Sequence, residues 1–280
     1  MAGGLLCVHA HPDDESISTG GVLLRAVGEG RPAAVVTCTG GELGEIVGEG
    51  MDPEKLRPRL GEVRQAELTA ALEILGAGTP RLLGYRDSGM AGTSGNDDER
   101  SFWRADFDQA VGRLVTQVRA FRPDVLVTYD AFGQYGHPDH VQTHRVGLVA
   151  AEAAGVPMLY PEAGEAWQVP KVYLSTLPRS FAALVSEELQ RRGLPTPFED
   201  DPDLPPVGSP DELITTTVDV RPFVERKLTA LKAHASQLGP ASFFLNMPPE
   251  LHDLAFGTEW FIRQRSDVPA PQEDDLFAGL

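Results

Sequence analysis

The chain has 280 residues, which is enough for one large α/β domain or two small ones. Its formal net charge of -17 disfavours nucleic acid and anionic membranes as partners, because little positive charge is available to offset phosphate groups. It contains no run of 18 apolar residues and no signal-peptide pattern, and Cys7 and Cys38 fall in predicted buried strands, so we expect a soluble cytoplasmic protein with reduced thiols.

The first 165 residues alternate between strand-like and helix-like patterns. Strands are predicted at 5–10, 33–38, 81–85 and 124–129, and helices at 17–30, 60–75, 107–121 and 139–154. A strand, helix, strand order implies right-handed crossovers between parallel strands. The fold class predicted for residues 1–165 is therefore α/β, with a doubly wound, mostly parallel, Rossmann-like sheet as the core.

A smaller α/β portion of the same domain is predicted over residues 166–267, and we expect it to complete the site. Its predicted strands lie at 169–174 and 213–218, and its predicted helices at 181–192 and 221–238. Residues 194–210 hold six prolines, which favours a loop or flap over a regular element. Residues 268–280 begin with closely spaced prolines and are predicted to form a disordered tail.

A dense group of polar residues follows the first strand. The apolar residues of that strand are followed by His11, Pro12, Asp13 and Asp14. Open α/β sheets bind ligands at this end of their strands. Asp14 or Ser16 could instead cap the next helix, but a cap explains one acid and leaves His11 and a second aspartate unexplained. The stretch therefore indicates a metal or catalytic site.

A second group follows the fourth predicted strand, where His137, Pro138, Asp139 and His140 occur in succession. Both groups can reach one crevice, because both strands belong to one parallel sheet. Two histidines and one carboxylate suit a catalytic zinc ion with a fourth position left for water, and the same ligands also accept ferrous iron. We predict three metal ligands: His11, Asp14 and His140. His144 lies one helical turn further on and is interpreted as a structural or rim residue.

The remaining polar residues suggest acid–base chemistry. Asp13 is placed beside a ligand and could accept the proton of a water molecule. His137, if protonated, could stabilise an oxyanion or protonate a leaving amine, and Asp139 could hold His137 in that state or cap the helix. The sequence has no G-x-S-x-G motif, phosphate loop or dinucleotide fingerprint.

The motifs Ala-His-Pro-Asp-Asp-Glu at 10–15 and Gly-His-Pro-Asp-His at 136–140 resemble those of the PIG-L/LmbE family of zinc-dependent N-acetylglucosamine deacetylases. Further segments look most like the mycothiol branch of that family, which holds the N-acetyl-glucosaminyl-inositol deacetylase and the mycothiol S-conjugate amidase. These segments are 37–42, 64–68 and 87–90, together with Tyr135, whereas residues 227–237 are similar to a late helix of the family as a whole.

The resemblance implies the same ligands and acid–base roles as the residue types do. It adds Tyr135 as a mobile residue that polarises the carbonyl, and Arg64 and Asp87 as contacts to the sugar or inositol. Without the resemblance, Arg64 would be interpreted as a solvated helix residue. Ser18 stands where the amidases carry lysine, and it is a further candidate substrate contact.

The function implied is metal-dependent removal of acetyl from an N-acetylglucosamine glycoside, most simply N-acetyl-glucosaminyl-inositol. The expected partner is thus a small amino-sugar glycoside, with no nucleic acid and no membrane. Ser18 and the loop at 87–93 favour the deacetylase over the conjugate amidase. A deacetylase that acts on an antibiotic sugar is a further alternative. A non-catalytic sugar- or metal-binding protein would not need both Asp13 and His137 beside the metal.

Overall fold

The computed structural model describes residues 4–193, 207–240, 242–269 and 272–280. Most of the predicted proline-rich flap, at 194–206, lies outside the described residues. Within the described ranges, no helix is long and apolar enough to cross a membrane.

One sheet runs through the described part of the chain. Its strands are Gly4–His9 (β1), Ala33–Thr39 (β2), Arg81–Tyr85 (β3), Pro123–Tyr129 (β4), Lys171–Thr176 (β5), Thr216–Asp219 (β6) and Thr258–Ser266 (β7). The strand order is β3-β2-β1-β4-β5-β7-β6. The first five strands in this order pair in parallel, and β7 is antiparallel to both of its neighbours. This arrangement confirms the predicted mostly parallel, doubly wound sheet.

The helices flank this sheet. They are Asp14–Ser18 (α1), Gly20–Gly28 (α2), Pro53–Leu56 (α3), Leu60–Leu75 (α4), Phe107–Phe121 (α5), Gly133–Gly136 (α6), Pro138–Ala153 (α7), Arg179–Arg191 (α8), Val224–Lys232 (α9), Phe243–Asn246 (α10) and His252–Phe256 (α11). Helices α4 and α5 begin and end at the predicted residues. The helix predicted at 17–30 is instead two helices, because Thr19 leaves the helical region with φ -139° and ψ 7°.

Strand β7 was not predicted from the sequence. Glu259 interrupts its apolar pattern and is nevertheless buried. Its carboxylate accepts hydrogen bonds from the backbone N–H groups of Gly21 and Val22, and it pairs with Lys227 at 2.6 Å. A buried acid satisfied by distant partners cannot be distinguished from an exposed acid by pattern alone.

The strands alternate their side chains between two apolar cores. Leu5 and Cys7 of β1 pack on the side of α2, α4 and α9, whereas Leu6 and Val8 pack on the side of α5 and α7. Strand β1 lies between β2 and β4, where the strand order reverses direction. The carboxyl ends of β1 and β4 therefore border the crevice in which such sheets bind ligands.

The C-terminal residues form part of the core, so the predicted disordered tail is wrong for 272–280. Leu276 and Phe277 are buried in the same core as β1. Glu273 pairs with the buried Lys171 at 2.5 Å and accepts a hydrogen bond from Tyr173. The prolines at the start of this segment suggested disorder, but one of its acids pairs with a buried lysine of strand β5.

The Phe277→Ala substitution is expected to lower the free energy of unfolding by about 3–5 kcal/mol, because it removes a buried aromatic ring and leaves a cavity. Denaturant unfolding followed by circular dichroism measures this change. Leu280→Ala is the matched control, because Leu280 is 43% exposed and should change stability little. Equal stability in both variants would restore the interpretation of a disordered tail.

Candidate metal centre and active site

Three polar atoms converge where β1 and β4 end. His11 Nδ1 lies 3.2 Å from His140 Nε2, and Asp14 Oδ2 lies 3.5 Å from the first and 3.4 Å from the second. Tetrahedral zinc holds such atoms at roughly 2.0–2.1 Å, which places them about 3.3 Å from one another. The three predicted ligands therefore form a triangle of the size that a tetrahedral metal ion requires.

The charges of this triad suit a cation. Burial lowers the pKa of His140 to about 4, with the charge of Asp14 opposing the shift and that of His11 adding to it, which leaves a neutral imidazole. Burial would raise the pKa of Asp14, but His140 and His11 lower it well below its usual range. Burial would lower the pKa of His11, but its hydrogen bonds with carboxylates raise it well above its usual range. A metal ion would therefore displace a proton from His11.

Asp139 orients His11. Its Oδ2 lies 3.2 Å from His11 Nε2, and the backbone N–H of Ser88 donates to the same oxygen at 2.9 Å. This contact turns Nδ1 of His11 toward the other two ligands. The Asp139 carboxylate bonds to His11 and Ser88, and its predicted support of His137 stays a prediction. His137 caps α7 by accepting the backbone N–H of Asp139 at 3.1 Å.

Tyr129 supports His140. This role was not predicted from the sequence, because Tyr129 is the last residue of a predicted strand. Its ring stacks on the His140 imidazole with centroids 4.3 Å apart, and its hydroxyl accepts the N–H of Ala10 at 3.0 Å. His9 Nδ1 lies 3.1 Å from the same hydroxyl. His144 lies outside the triad, with its Nδ1 2.8 Å from the carbonyl oxygen of Tyr129.

Asp13 lies beside the triad in a strained conformation, with φ 117°. Such a backbone costs of order 1–3 kcal/mol in a residue that has a side chain. Its carboxylate accepts a hydrogen bond from Arg64 Nη2 at 3.0 Å, and the side chain is 20% exposed. Burial raises its pKa to about 6, with Arg64 opposing the shift and Asp14 adding to it. The group is thus poised to exchange protons near neutral pH.

Arg64 is buried, so its interpretation as a solvated helix residue is wrong. Its guanidinium donates to the carbonyl oxygens of Pro12 and Gly41 at 2.5 and 2.8 Å as well as to Asp13. Gly41 must lack a side chain, because a Cβ there would lie 2.1 Å from Arg64 Nη1. These contacts place Arg64 as a support for Asp13, and its predicted contact with substrate stays a prediction.

Asp87 is also buried and lies behind His11. Its Oδ1 is 3.7 Å from His11 Nε2, and the carboxylate accepts the N–H groups of Leu43 and Gly89 at 3.1 and 2.7 Å. Burial would raise its pKa, but the contact with His11 lowers it below its usual range. Its contact with a sugar likewise stays a prediction.

A second buried pair supports Asp13 from the other side and was missed from the sequence. His234 Nε2 lies 2.8 Å from Glu15 Oε1, and Glu15 Oε2 accepts the backbone N–H of Asp13 at 3.0 Å. Burial opposes the charge of both partners, yet their contact raises the pKa of His234 and lowers that of Glu15. Glu15 completes the first motif, but nothing in the sequence links it to a histidine beyond α9.

Three further predicted residues lie around the triad at different depths. His137 is buried, and burial, followed by the charge of His11, lowers its pKa to about 4. A pKa of about 4 favours the neutral imidazole near pH 7, and the role of His137 toward an oxyanion or a leaving amine stays a prediction. Tyr135 is 42% exposed, with its hydroxyl 3.4 Å from His140 Nε2. Ser18 contacts another residue, with its Oγ 3.4 Å from the side chain of Gln134.

Two cavities adjoin this region. Asp13 and His234 line one of about 290 Å³, and Ser18 and Gln134 line another of about 210 Å³. They share Ile17 and two phenylalanines of α10 as a common wall. Neither lining includes a member of the triad, so the first cavity reaches the site at Asp13.

The fold and the site together define a Rossmann-like α/β protein whose centre of two histidines and one aspartate can hold a metal ion. The PIG-L family model, described as GlcNAc-PI de-N-acetylase, matches residues 6–151, and the chain belongs to this family. It is 44% identical to the 1D-myo-inositol 2-acetamido-2-deoxy-alpha-D-glucopyranoside deacetylase of Geodermatophilus obscurus, with 99% of this chain and 97% of that protein covered.

Two solved structures share the fold. The N,N'-diacetylchitobiose deacetylase from Pyrococcus horikoshii has a TM-score of 0.65 and 19% identity over 94% of this chain and 84% of its own. GalB from Pseudomonas putida, a 4-carboxy-2-hydroxymuconate hydratase, has a TM-score of 0.64 and 19% identity over 96% of this chain and 99% of its own. A deacetylase and a hydratase on one scaffold mean that this likeness shows the fold alone.

Proposed function

We propose that the protein is a cytoplasmic deacetylase that removes acetyl from the 2-amino group of an N-acetylglucosamine glycoside, with N-acetyl-glucosaminyl-inositol as the favoured substrate. The observation that carries this proposal is the triad of His11, Asp14 and His140 with Asp13 beside it. The identity with the inositol glycoside deacetylase over nearly the whole chain supports the substrate. The free, buried thiols of Cys7 and Cys38 support a reducing compartment.

Zinc is the proposed metal, and ferrous iron is the alternative that the same ligands accept. When bound, zinc would polarise the acetyl carbonyl and make water easier to deprotonate. His11, Asp14 and His140 would hold it, and their mutual distances of 3.2–3.5 Å support that assignment. Asp139 would keep His11 oriented toward it.

The chain's own residues account for the proton transfers. Hydrolysis forms a bond between the water oxygen and the acetyl carbon and breaks the bond from that carbon to nitrogen. Asp13 accepts the proton of the attacking water and then delivers it to the leaving amine, since its pKa of about 6 allows both states. His137 is neutral with Nδ1 accepting a backbone N–H, so its Nε2–H is free to donate to the developing oxyanion. Tyr135 would add a second donor, and its hydroxyl 3.4 Å from His140 Nε2 supports this role.

One assay tests the function. Zinc-loaded protein is incubated with N-acetyl-glucosaminyl-inositol, plain N-acetylglucosamine and a mycothiol S-conjugate, and released primary amine is measured. We expect the fastest release from the inositol glycoside. Release from the conjugate alone would make the protein an amidase. If none of the three compounds released amine although zinc was bound, the result would favour a non-catalytic binding protein.

Arg64→Ala is expected to lower kcat/KM by about 10–100-fold on both the inositol glycoside and plain N-acetylglucosamine, because Arg64 supports Asp13, which acts on either substrate. Steady-state kinetics on both substrates measures this effect. Arg59→Ala is the matched control, since Arg59 is exposed on the same segment. A loss confined to the inositol glycoside would show instead that Arg64 binds the inositol.

A further inference from the structure

We propose that Glu15 and His234 are positioning residues that hold the backbone of Asp13 so that its carboxylate lies beside the metal triad. The inference rests on the proposed function, in which Asp13 transfers protons. It assigns a role in the reaction to a histidine that lies far from both histidine motifs in the sequence.

Asp13 needs such support because its backbone is strained. It has φ 117° and ψ -31°, a region that residues with a side chain rarely adopt. Helix α1 begins at the next residue, so the chain must turn sharply between Pro12 and Asp14. A relaxed φ would swing the Asp13 carboxylate away from Arg64. Contacts to the neighbouring peptide group must therefore hold the strained conformation in place.

The peptide group between Pro12 and Asp13 is held at both of its polar atoms. Arg64 Nη2 donates to the carbonyl oxygen of Pro12 at 2.5 Å, and the N–H of Asp13 donates to Glu15 Oε2 at 3.0 Å. The plane of this peptide group cannot rotate without breaking one of the two bonds. Because rotation of this plane changes φ of Asp13, the two bonds together fix that angle.

His234 in turn fixes Glu15. The Glu15 side chain is fully buried, and its Oε1 accepts the hydroxyl of Ser16 at 2.5 Å and contacts His234 Nε2 at 2.8 Å. His234 follows helix α9, which packs against α1 and α4. The C-terminal part of the chain thereby sets the orientation of a carboxylate in the first motif. His234 and Asp13 also line the same cavity.

Substitutions at His234 in the zinc-loaded full chain test the proposal. His234→Leu should lower kcat by about 10–100-fold, the usual loss when a supporting contact is removed, while KM changes by less than about threefold. His234→Gln offers an amide donor to Glu15 and should recover kcat to within about threefold of the wild type. Unchanged kcat in His234→Leu, or no recovery in His234→Gln, would overturn the proposal.

A double-mutant cycle separates positioning from general damage. If His234 acts through Asp13, adding His234→Leu to Asp13→Asn should cause no further loss of kcat. A general structural role predicts instead that the two losses multiply, and that result would overturn the proposal. Glu273→Gln is the matched control, because it removes a buried ion pair with Lys171 away from the triad. It should lower the melting temperature and leave kcat unchanged.

A crystal structure of the His234→Leu variant gives a readout that needs no substrate. We expect φ of Asp13 to relax and its carboxylate to move away from Arg64, and an unchanged Asp13 would overturn the proposal. If His234→Leu does not fold, Glu15→Gln is examined in the same way, because one amide oxygen cannot replace both carboxylate oxygens. If the wild type hydrolyses no glycoside, the proposed function fails, and the crystal structures still decide whether Asp13 is held as inferred.

Discussion

Asp13→Asn is expected to lower kcat by about 10²–10⁴-fold while the zinc content stays near that of the wild type. Asparagine keeps the shape of the side chain and can still accept the hydrogen bond from Arg64, but it cannot take a proton from water. The measurement combines steady-state kinetics with metal analysis of the same preparation. The pairing of lost turnover with retained metal distinguishes a proton-transfer role from metal ligation.

The pH dependence gives an independent check on this residue. A base must be ionised, so activity should fall as the pH drops through the pKa of Asp13, which burial raises to about 6. The stability of the metal-free protein should change in the opposite sense. Because the pKa of Asp13 is raised from 3.8 to about 6 on folding, its contribution to stability is lost as the pH rises from the first value through the second and changes no further above it. Asp13→Asn should therefore be at least as stable as the wild type at pH 7.

Asp14→Asn is the matched control for Asp13→Asn. Asp14 is a member of the triad, so its substitution should lower zinc content together with activity. If Asp13→Asn lost the metal and Asp14→Asn kept it, the roles of the two aspartates would have to be exchanged. Each substitution replaces one carboxylate oxygen with an NH2 group, so the comparison separates metal ligation from proton transfer.

The triad could be predicted because each ligand is local to a recognisable pattern. An apolar strand that ends in His-Pro-Asp places polar groups at the carboxyl edge of a sheet, whatever the rest of the chain does. Two such endings in one parallel sheet must lie at the same edge. The structure brings His11, Asp14 and His140 together for that reason, and their convergence needs no detailed knowledge of side-chain rotamers.

The partners of those residues could not be predicted in the same way. Whether Asp139 contacts His11 or His137 depends on a rotamer that Ser88, a residue of a distant loop, helps to fix. Arg64 looks solvated in a sequence, because its buried acceptors are backbone carbonyls that carry no signal. Strand β7 and the C-terminal segment were missed for a related reason. Their acids are buried against cations that lie far away in the sequence.

The second large effect is expected in metal binding. His140→Ala removes a ligand, so its zinc affinity should fall by more than the roughly 10–100-fold that loss of an outer partner costs. Asp139→Asn weakens the contact that orients His11 together with the hydrogen bonds from Ser88, and should fall within that range. His144→Ala should bind zinc like the wild type, because His144 contacts the carbonyl oxygen of Tyr129 and lies outside the triad. Competition with a chromogenic chelator measures all three affinities.

This graded order depends on geometry and not on activity, so it tests the metal site without reference to the substrate. Zinc binding should also release protons near neutral pH, because contacts with carboxylates raise the pKa of His11 well above its usual range and the metal displaces that proton. The affinity should therefore rise with pH until His11 is deprotonated in the free protein. A variant that combines His11→Ala with His140→Ala keeps only Asp14 of the triad. If that variant still bound zinc stoichiometrically and tightly, the ion would have to lie elsewhere, and the three ligands assigned here would be the wrong ones.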